Sequence, residues 1–383
     1  MKRFGVLILL AVLLGYTACK QDDPVPVPTP GECDLTGIPY NPQAYVIPKP
    51  DSFPAIPIPA DNPTTLEGVQ LGRMLFYDPI LSGDSTQSCS SCHLPAGNFT
   101  DNKATSKGIQ GINGRRSAMS LLNVAYSTKG FFWDGRAATL EEQVLKPVED
   151  PVEMHNTWVN AMEKLRNHPN YPGYFRQAFG ISDCSEMSKE QAARAMAQFI
   201  RTLVSSGQSK YDLWRKGQVE LTDEELNGYI MFFDRGRDLG YNLPDAQCFH
   251  CHGGETFTTN SYFNNGLDSV ASLDDFVDKG RGEVTGNRYH NGQFRSPGLR
   301  NITLSAPYMH DGRFQTLEQV LAQYSDNGFG VENEDPFIRQ IGFPVGNGQY
   351  SGLTISQQND IIAFLHTLTD TVFIHNPLHQ NPF

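Results

Sequence analysis

A chain of 383 residues, 39% of them apolar, is too long for one small domain and predicts two globular domains of ordinary size. Its formal net charge of −12 argues against binding to nucleic acid or to anionic membrane surfaces. The same acidity suits a basic protein partner that is attracted electrostatically, although acidic side chains also serve simply to keep a surface solvated.

The N-terminus predicts export from the cytoplasm. Residues 1–3 include two basic side chains and residues 5–15 form an apolar run too short to span a bilayer comfortably, so residues 1–18 are predicted to be a signal peptide. Residues 16–19 resemble a loose lipobox, which predicts cleavage before Cys19 and acylation of that residue. An ordinary secretory leader is the alternative. The lipobox predicts an outer-membrane lipoprotein of a Gram-negative-type envelope, facing the periplasm or the surface and attached to the membrane through Cys19.

Residues 19–62 are dense in proline and predict an extended tether rather than regular helix or sheet. Helices are predicted where Ser, Thr or Asp is followed three residues later by Glu or Gln, because such a pair caps a helix N-terminus. These capping boxes occupy residues 64–67, 139–142, 150–153, 188–191 and 222–225, and a last helix is predicted over residues 356–368. No run of alternating β-branched residues is long enough for a sheet, so the fold is predicted to be mainly α.

Two C-x-x-C-H motifs, at residues 89–93 and 248–252, predict covalent attachment of two c-type haems. Two thiols at this spacing can each add to a vinyl group of one porphyrin, and His93 or His252 then binds the iron from the proximal side. A lone motif could also be a redox disulfide or a zinc site, but two copies in an exported chain favour haem. The attaching thiols are those of Cys89, Cys92, Cys248 and Cys251.

The two cysteines outside these motifs and the lipobox are Cys33 and Cys184. In an oxidising compartment such a leftover pair predicts one disulfide, which would tie the tether to the first domain. Two unpaired thiols are the alternative, because the sequence does not give the distance between the sulfur atoms.

Each haem motif is followed by a segment with the same order of Arg, Asn, Asp-Gly-Arg and Thr-Leu-Glu, at residues 116–141 and 295–318. The spacing from Asn to Asp-Gly-Arg differs by one residue between the two copies. Such a repeat predicts two haem-binding domains that descend from one. We therefore predict a first domain over residues 63–215, a second over residues 216–374 and a short tail over residues 375–383.

Over residues 63–370 the chain resembles the bacterial di-haem cytochrome c peroxidase and MauG family. The motifs that carry the resemblance are LGRMLFYDP at 71–79, FWDGR at 132–136, VEM at 152–154, LRN at 299–301 and APYMHDGR at 306–313. The resemblance implies two fused cytochrome c-like domains, each with one covalent c-type haem, and haems that face the domain interface. The N-terminal haem would be peroxidatic and the C-terminal haem would transfer electrons.

The resemblance also implies roles for individual side chains. Glu153 matches the residue that moves a proton while the O–O bond of peroxide breaks, and Gln143 matches an orienting glutamine on the same side. Trp133 matches a tryptophan that relays electrons between the haems, and Arg136 and Arg313 are predicted to pair with haem propionates. The structural alternatives are a capping role for Glu153, a polar helix position for Gln143, a core position for Trp133 and bracing of a turn for each arginine.

Two departures from the family's peroxidases bear on function. Their first haem is capped at rest by a histidine soon after the motif, but residues 102–109 contain none, so we predict an open ferric haem, as in MauG. At the second haem those peroxidases have a methionine ligand where this chain has Tyr324, as MauG-type proteins do. A phenolate ligand favours ferric and higher states of iron. Met309 is the rival ligand, and a buried helix position is the structural alternative for Tyr324.

A calcium ion between the two domains is usual in the family. Its carbonyl ligands would fall on Ser305 and Pro307, whereas Ser117 stands in place of the family's asparagine ligand. Because a serine hydroxyl is a weaker oxygen ligand, the resemblance leaves calcium open.

These features predict a di-haem peroxidase that reduces H2O2 to water with electrons from a small cytochrome c or another envelope donor. One alternative is a MauG-like oxidase that acts on a protein through a high-valent di-haem state, which Tyr324 and the missing histidine favour. Another is a non-catalytic electron carrier, which Glu153 argues against. Family members often pair, so the resemblance is compatible with a homodimer.

Overall fold

The computed structural model describes residues 33–383. The predicted signal peptide, Cys19 and the tether as far as residue 32 lie outside the described residues. Within the described range, no helix is both long and apolar enough to cross a membrane.

The described chain is mainly helical, with two small antiparallel sheets. Its α-helices are α1 (Leu66–Tyr77), α2 (Leu140–Glu149), α3 (Trp158–Arg166), α4 (Tyr171–Phe179), α5 (Lys189–Arg201), α6 (Lys210–Arg215), α7 (Asp223–Phe232), α8 (Gly236–Leu239), α9 (Phe249–His252), α10 (Arg281–Thr285), α11 (Leu317–Ser325), α12 (Ile355–His366) and α13 (Thr371–Ile374). Strands β1 (Tyr262–Phe263) and β2 (Phe294–Arg295) pair with each other, as do β3 (Pro344–Gly346) and β4 (Gln349–Tyr350). The prediction of a mainly α fold is therefore confirmed.

Most of the predicted helix starts are also confirmed. Thr139, Ser188 and Thr222 cap α2, α5 and α7, and each side chain accepts a hydrogen bond from a backbone N–H three residues on. Helix α1 is capped by Thr65, one residue later than predicted. The last predicted helix corresponds to α12.

The helix predicted from the capping box at residues 150–153 is wrong. Helix α2 ends at Glu149, Asp150 forms its C-terminal cap, and residues 151–154 make a turn. A residue before proline avoids the helical conformation, and Asp150, which precedes Pro151, has an extended ψ of 120°. Its carboxylate accepts a hydrogen bond from the N–H of Val152, two residues on, instead of capping a helix.

Each domain contains a crossing of two helices that touch at a glycine. In the first domain α1 crosses α5, and a Cβ on Gly72 would overlap the carbonyl oxygen of Ala195. In the second domain α7 crosses α12, and a Cβ on Gly228 would overlap the carbonyl oxygen of Asp360. Neither contact has room for a side chain, so both crossings depend on glycine. Both domains therefore contain a helix crossing with a glycine at the contact, which supports the predicted repeat.

Two hydrophobic cores surround these crossings. The first takes its buried side chains mainly from α1 to α5, and the second from α7, α11 and α12 together with Tyr211 of α6. Near the C-terminus, Phe373 of α13 returns to the first core. The main-chain carbonyl of Gln380 then accepts a hydrogen bond from Arg73 of α1 at 2.8 Å. The predicted tail therefore packs against the first helix of the chain.

An arginine network joins the two halves of the chain. Arg116 donates to both carboxylate oxygens of Asp278, at 2.7 and 2.8 Å, and to Asp134 at 2.5 Å. Arg281 donates to the main-chain oxygen of Asp134 at 3.0 Å. The Arg116 side chain is only 10% exposed. Loss of one partner would therefore leave a buried charge unmatched, so the network constrains how the two halves meet.

The structure joins Cys33 and Cys184 in a disulfide, the first of the two predicted alternatives. The bridge spans a sequence separation of 151 residues and restricts the unfolded chain accordingly. We expect the double variant Cys33→Ser/Cys184→Ser to lose roughly 2–5 kcal/mol of unfolding free energy. Thermal unfolding followed by circular dichroism checks this loss. The native protein treated with a thiol reductant should unfold at the same temperature as the variant. Equal melting temperatures for the oxidised native protein and the variant would contradict the bridge.

Candidate functional site

The first C-x-x-C-H motif forms a tight turn beside a cavity. Residues Cys89–Ser91 make a 3-10 turn, and the His93 N–H donates to the Cys89 carbonyl at 3.0 Å. The His93 Nδ1–H donates to the carbonyl oxygen of Phe99 at 2.8 Å, which fixes the ring and leaves Nε2 for a metal. Burial lowers the pKa of His93, so its imidazole is neutral and can act as a ligand.

The second motif repeats this arrangement on the short helix α9. The His252 N–H donates to the Cys248 carbonyl at 2.9 Å, and the ring Nδ1–H donates to the carbonyl oxygen of Pro297 at 3.0 Å. Burial lowers the pKa of His252 to about 4. Both motifs therefore hold a neutral imidazole in a fixed tautomer and orientation.

Two cavities accompany the motifs, and each is large enough for a planar macrocycle. The first, lined by Cys92 and His93, encloses about 1440 Å³ including the solvent space at its mouth. The second, lined by Cys248, Cys251 and His252, encloses about 1350 Å³ by the same measure. The four motif thiols are not in disulfides. Two thiols and one imidazole fall short of the four ligands of a structural zinc site but are the donor set of a covalent haem. The residues present therefore fit one haem in each cavity.

Glu153 lines the first cavity, as does Gln143. The Glu153 carbonyl accepts a hydrogen bond from the Ile109 N–H at 3.0 Å, which holds its turn against the loop that follows the haem motif. Since Asp150 caps the end of α2 and opens no helix, the capping role offered as the alternative for Glu153 is not realised. Burial raises the pKa of Glu153 to about 7, and repulsion from Asp150 adds to the rise. A carboxyl group with this pKa can both accept and donate a proton near neutral pH.

The lining of the first cavity contains one histidine, His93. Residues 102–109, which contain no histidine, are bound at one end to the second domain. The Asn102 side-chain amide donates to the carbonyls of Leu304 and Ala306, both at 2.8 Å. Residues 106–108 then form part of the cavity wall. The described lining therefore offers no second imidazole to a metal held by His93.

Tyr324 and Met309, the two predicted rivals at the second metal, both line the second cavity. One amide contacts them both: Asn265 Nδ2 lies 3.3 Å from Tyr324 Oη and 3.6 Å from the Met309 sulfur. Burial raises the pKa of Tyr324 to about 12, and the Asn265 hydrogen bond opposes this rise. The structure brings both candidates to the cavity, and Asn265, which was not predicted, is the residue that links them.

Trp133 and Arg295 line both cavities. The Arg295 N–H donates to the Trp133 carbonyl at 2.8 Å across the domain interface. The Trp133 indole N–H donates to the Ser117 carbonyl at 3.0 Å. These bonds hold a single indole beside both cofactor sites. Arg295 was not predicted as a site residue. The sequence feature that could have identified it is the repeat, in which Arg295 occupies the position that Arg116 occupies in the first copy.

The two arginines predicted to pair with propionates lie in different surroundings. Arg136 lines the first cavity and pairs with Asp134 at 3.2 Å. Arg313 is not in the lining of the second cavity. It pairs with Asp268 at 2.8 Å and with Asp311 at 2.6 Å, so its charge is already matched by carboxylates. This geometry fits the bracing role offered as the alternative for Arg313.

A third cavity lies between the other two and shares lining residues with each. Ser117, Ser305 and Pro307, the predicted calcium ligands, all line it. The Ser117 hydroxyl donates to the Met309 carbonyl at 3.0 Å. The lining contains no carboxylate, so a cation here would rest on neutral oxygen atoms.

Comparison with known proteins agrees with this geometry. Residues 66–220 match the family model described as di-haem cytochrome c peroxidase. The cytochrome c551 peroxidase of Nitrosomonas europaea is 38% identical over 317 residues, covering 82% of this chain and 84% of that protein. The methylamine utilization protein MauG of Methylorubrum extorquens is 34% identical over 319 residues, covering 82% of this chain and 81% of that protein.

Solved structures give the same picture. A MauG-like protein associated with microbial copper homeostasis superposes with a TM-score of 0.78 at 31% identity, over 88% of this chain and 99% of that one. The di-haem peroxidase BthA of Burkholderia thailandensis shares the fold, with a TM-score of 0.67 at 24% identity, over 93% of this chain and 98% of that one. The similarity to peroxidases and MauG-type proteins thus extends over most of the chain.

If each cavity holds its own covalent haem, the two attachments should be independent. We expect Cys89→Ala/Cys92→Ala to keep one covalent haem, and the matching variant of the second motif to keep the other. Cys33→Ser/Cys184→Ser, which changes cysteines outside both linings, should keep both haems. Intact mass spectrometry counts the haems directly. Two haems in either motif variant, or fewer than two in the native protein, would refute this assignment.

Proposed function

The chain belongs to the family of di-haem cytochrome c peroxidases and MauG proteins, and we propose on that basis how its residues divide the reduction of peroxide. It carries two covalently bound c-type haems and is an oxidoreductase that acts on peroxide, as its relatives are. The observation that carries the proposal is a pair of cavities that meet at Trp133, one lined by Glu153 and the other by Tyr324.

The bound haems supply the redox chemistry, in which H2O2, two electrons and two protons give two molecules of water. His93 would hold the peroxidatic haem in the first cavity, and His252 would hold the electron-transfer haem in the second. Trp133 would relay electrons between them, since it lines both cavities. Tyr324 is the preferred second ligand in the second cavity, with Met309 as its rival.

Glu153 transfers a proton in the first cavity. It takes a proton from one oxygen of peroxide and delivers it to the leaving oxygen, for which a pKa of about 7 is well matched. Gln143, on the same cavity wall, orients the peroxide or the carboxyl group. The absence of a second imidazole from the described lining leaves room for peroxide opposite His93.

The electron donor is a small cytochrome c or another reductant of the envelope. Cytochrome c551 peroxidases among the relatives point to a cytochrome as donor. The net charge of −12 favours a basic donor, because opposite charges speed encounter between proteins. Steering of this kind weakens as the salt concentration rises.

A second candidate function is MauG-like oxidation of a partner protein. Three observations favour it: the first cavity's lining has one histidine, Tyr324 lies in the second cavity, and MauG proteins are among the relatives. A non-catalytic electron carrier is less well supported, since it would not need Glu153, a carboxyl group that caps no helix and has a raised pKa, in the first cavity.

We further propose export directed by residues 1–18 and a lipid anchor on Cys19, which would keep the enzyme in a Gram-negative-type envelope. A calcium ion at Ser117, Ser305 and Pro307 would brace the domain interface, and a homodimer is compatible with the family. Mass spectrometry of the mature N-terminus checks the anchor. An unmodified N-terminus beyond residue 19 would refute it.

Steady-state turnover of H2O2 with reduced cytochrome c separates the two functions. A peroxidase should oxidise two molecules of cytochrome for each peroxide, because each donates one electron. A protein that reacts with peroxide but leaves reduced cytochromes untouched would favour the MauG-like alternative. Failure to react with peroxide at all would refute both.

In the same assay we expect Glu153→Gln to lower kcat/KM for peroxide by about 10²–10⁴, the usual worth of a general acid–base group. Because the base must be ionised, the native rate should fall as the pH drops through about 7, and the variant should lose this dependence. Glu149→Gln, an exposed position at the end of α2, is the matched control and should behave as the native protein. Full turnover by Glu153→Gln would remove Glu153 from the mechanism.

A further inference from the structure

Arg295 is a buried cation whose charge is unmatched in the described chain. Three arginines are buried there: Arg201, Arg295 and Arg300. Arg201 pairs with Glu141, and Arg300 pairs with Asp212 at 2.9 Å. Arg295 is 8% exposed, and residues 33–383 give it no ion pair. Burying a charge without a partner costs free energy, so an anion from elsewhere is expected to meet it.

The hydrogen bonds of Arg295 leave one edge of the guanidinium unused. Nη1 donates to the Ser127 hydroxyl at 2.8 Å and to the Gly130 carbonyl at 3.1 Å. Nε is buried and has no hydrogen-bond partner among the described residues. Nη1 is therefore occupied, whereas the edge formed by Nε and Nη2 is available. That edge presents two parallel N–H groups, which match the two oxygens of one carboxylate.

The position of Arg295 indicates which carboxylate this is. Arg295 lines the first, second and third cavities, so it stands where the two haem sites meet. Each c-type haem carries two propionate groups, and these are the carboxylates that the two cavities would bring to this point. Arg313, the residue predicted for this role in the second domain, already pairs with two carboxylates of its own.

We propose that the Arg295 guanidinium binds haem propionate at the meeting point of the two cavities and serves as a counter-charge for both haems. The proposal rests on the two covalent haems and is independent of the peroxide reaction. A positive charge held near a haem stabilises the added electron, so Arg295 favours the ferrous form. Its backbone N–H holds the Trp133 carbonyl, and one residue thus tunes the haems and positions the side chain between them.

Optical potentiometric titration of Arg295→Gln tests this proposal. We expect the reduction equilibrium of at least one haem to shift about tenfold toward the ferric form, which is about 59 mV for a one-electron couple. Arg281→Gln is the matched control. Arg281 donates to main-chain carbonyls at the same interface but is absent from the linings of the three cavities, so its loss should produce a smaller shift. No shift in Arg295→Gln, or equal shifts in the two variants, would overturn the proposal.

Arg295→Lys provides a second measurement, because lysine keeps the charge and loses the paired N–H edge. The propionate bending bands in the resonance Raman spectrum should move in this variant and remain in place in Arg281→Gln. If Arg295→Gln fails to assemble with two haems, the propionate bands of Arg295→Lys test the proposal instead. Unchanged bands in Arg295→Lys would then overturn it. A potential shift that depends on chloride, with unchanged bands, would identify a small anion as the partner and would also overturn it.

Discussion

The hydrogen bond from the Arg295 N–H to the Trp133 carbonyl joins the two halves of the site. It links, across the domain interface, two residues that line both cavities. The buried network of Arg116 with Asp134 and Asp278 holds the same interface from the other side. Trp133 and Arg295 thus lie together beside both cofactor sites, which is the arrangement that the proposed electron relay and the proposed counter-charge require.

The two domains share an arrangement of helices and turns but differ in the side chains that line their cavities. Both depend on a helix crossing at a glycine, and in both an Asp-Gly-Arg turn leads into a helix capped by threonine. In the first domain the turn that follows α2 carries Glu153 to the cavity. In the second domain α11 itself presents Tyr324, from its last turn. A buried carboxyl group and a candidate metal ligand thus come from corresponding regions of the two domains, the first just after a helix and the second within one.

Features that depend on residues a few positions apart could be predicted from the sequence. The haem motifs, the mainly α fold and the cap at Ser188 are of this kind. The helix wrongly predicted at Asp150 failed for an equally local reason, because the proline that follows overrides the capping pattern. The repeat marked Arg295 through its place opposite Arg116, but its position beside both cavities arises only from how the two domains meet. Asn265 could not be predicted, since its contacts with Tyr324 and Met309 join residues distant in the sequence. For Arg313 the sequence left open a propionate partner or a bracing role, and only the fold shows that its side chain pairs with two carboxylates.

Mixing the fully ferric protein with H2O2, without any reductant, tests most directly whether the first site is open at rest. We expect the optical and Mössbauer spectra to change at once, because the described lining of the first cavity has no second imidazole to displace and Glu153 is already beside it. A protein that stays unchanged until one of its haems has been reduced would contradict this account, since a ligand would then have to leave the first iron before peroxide could bind.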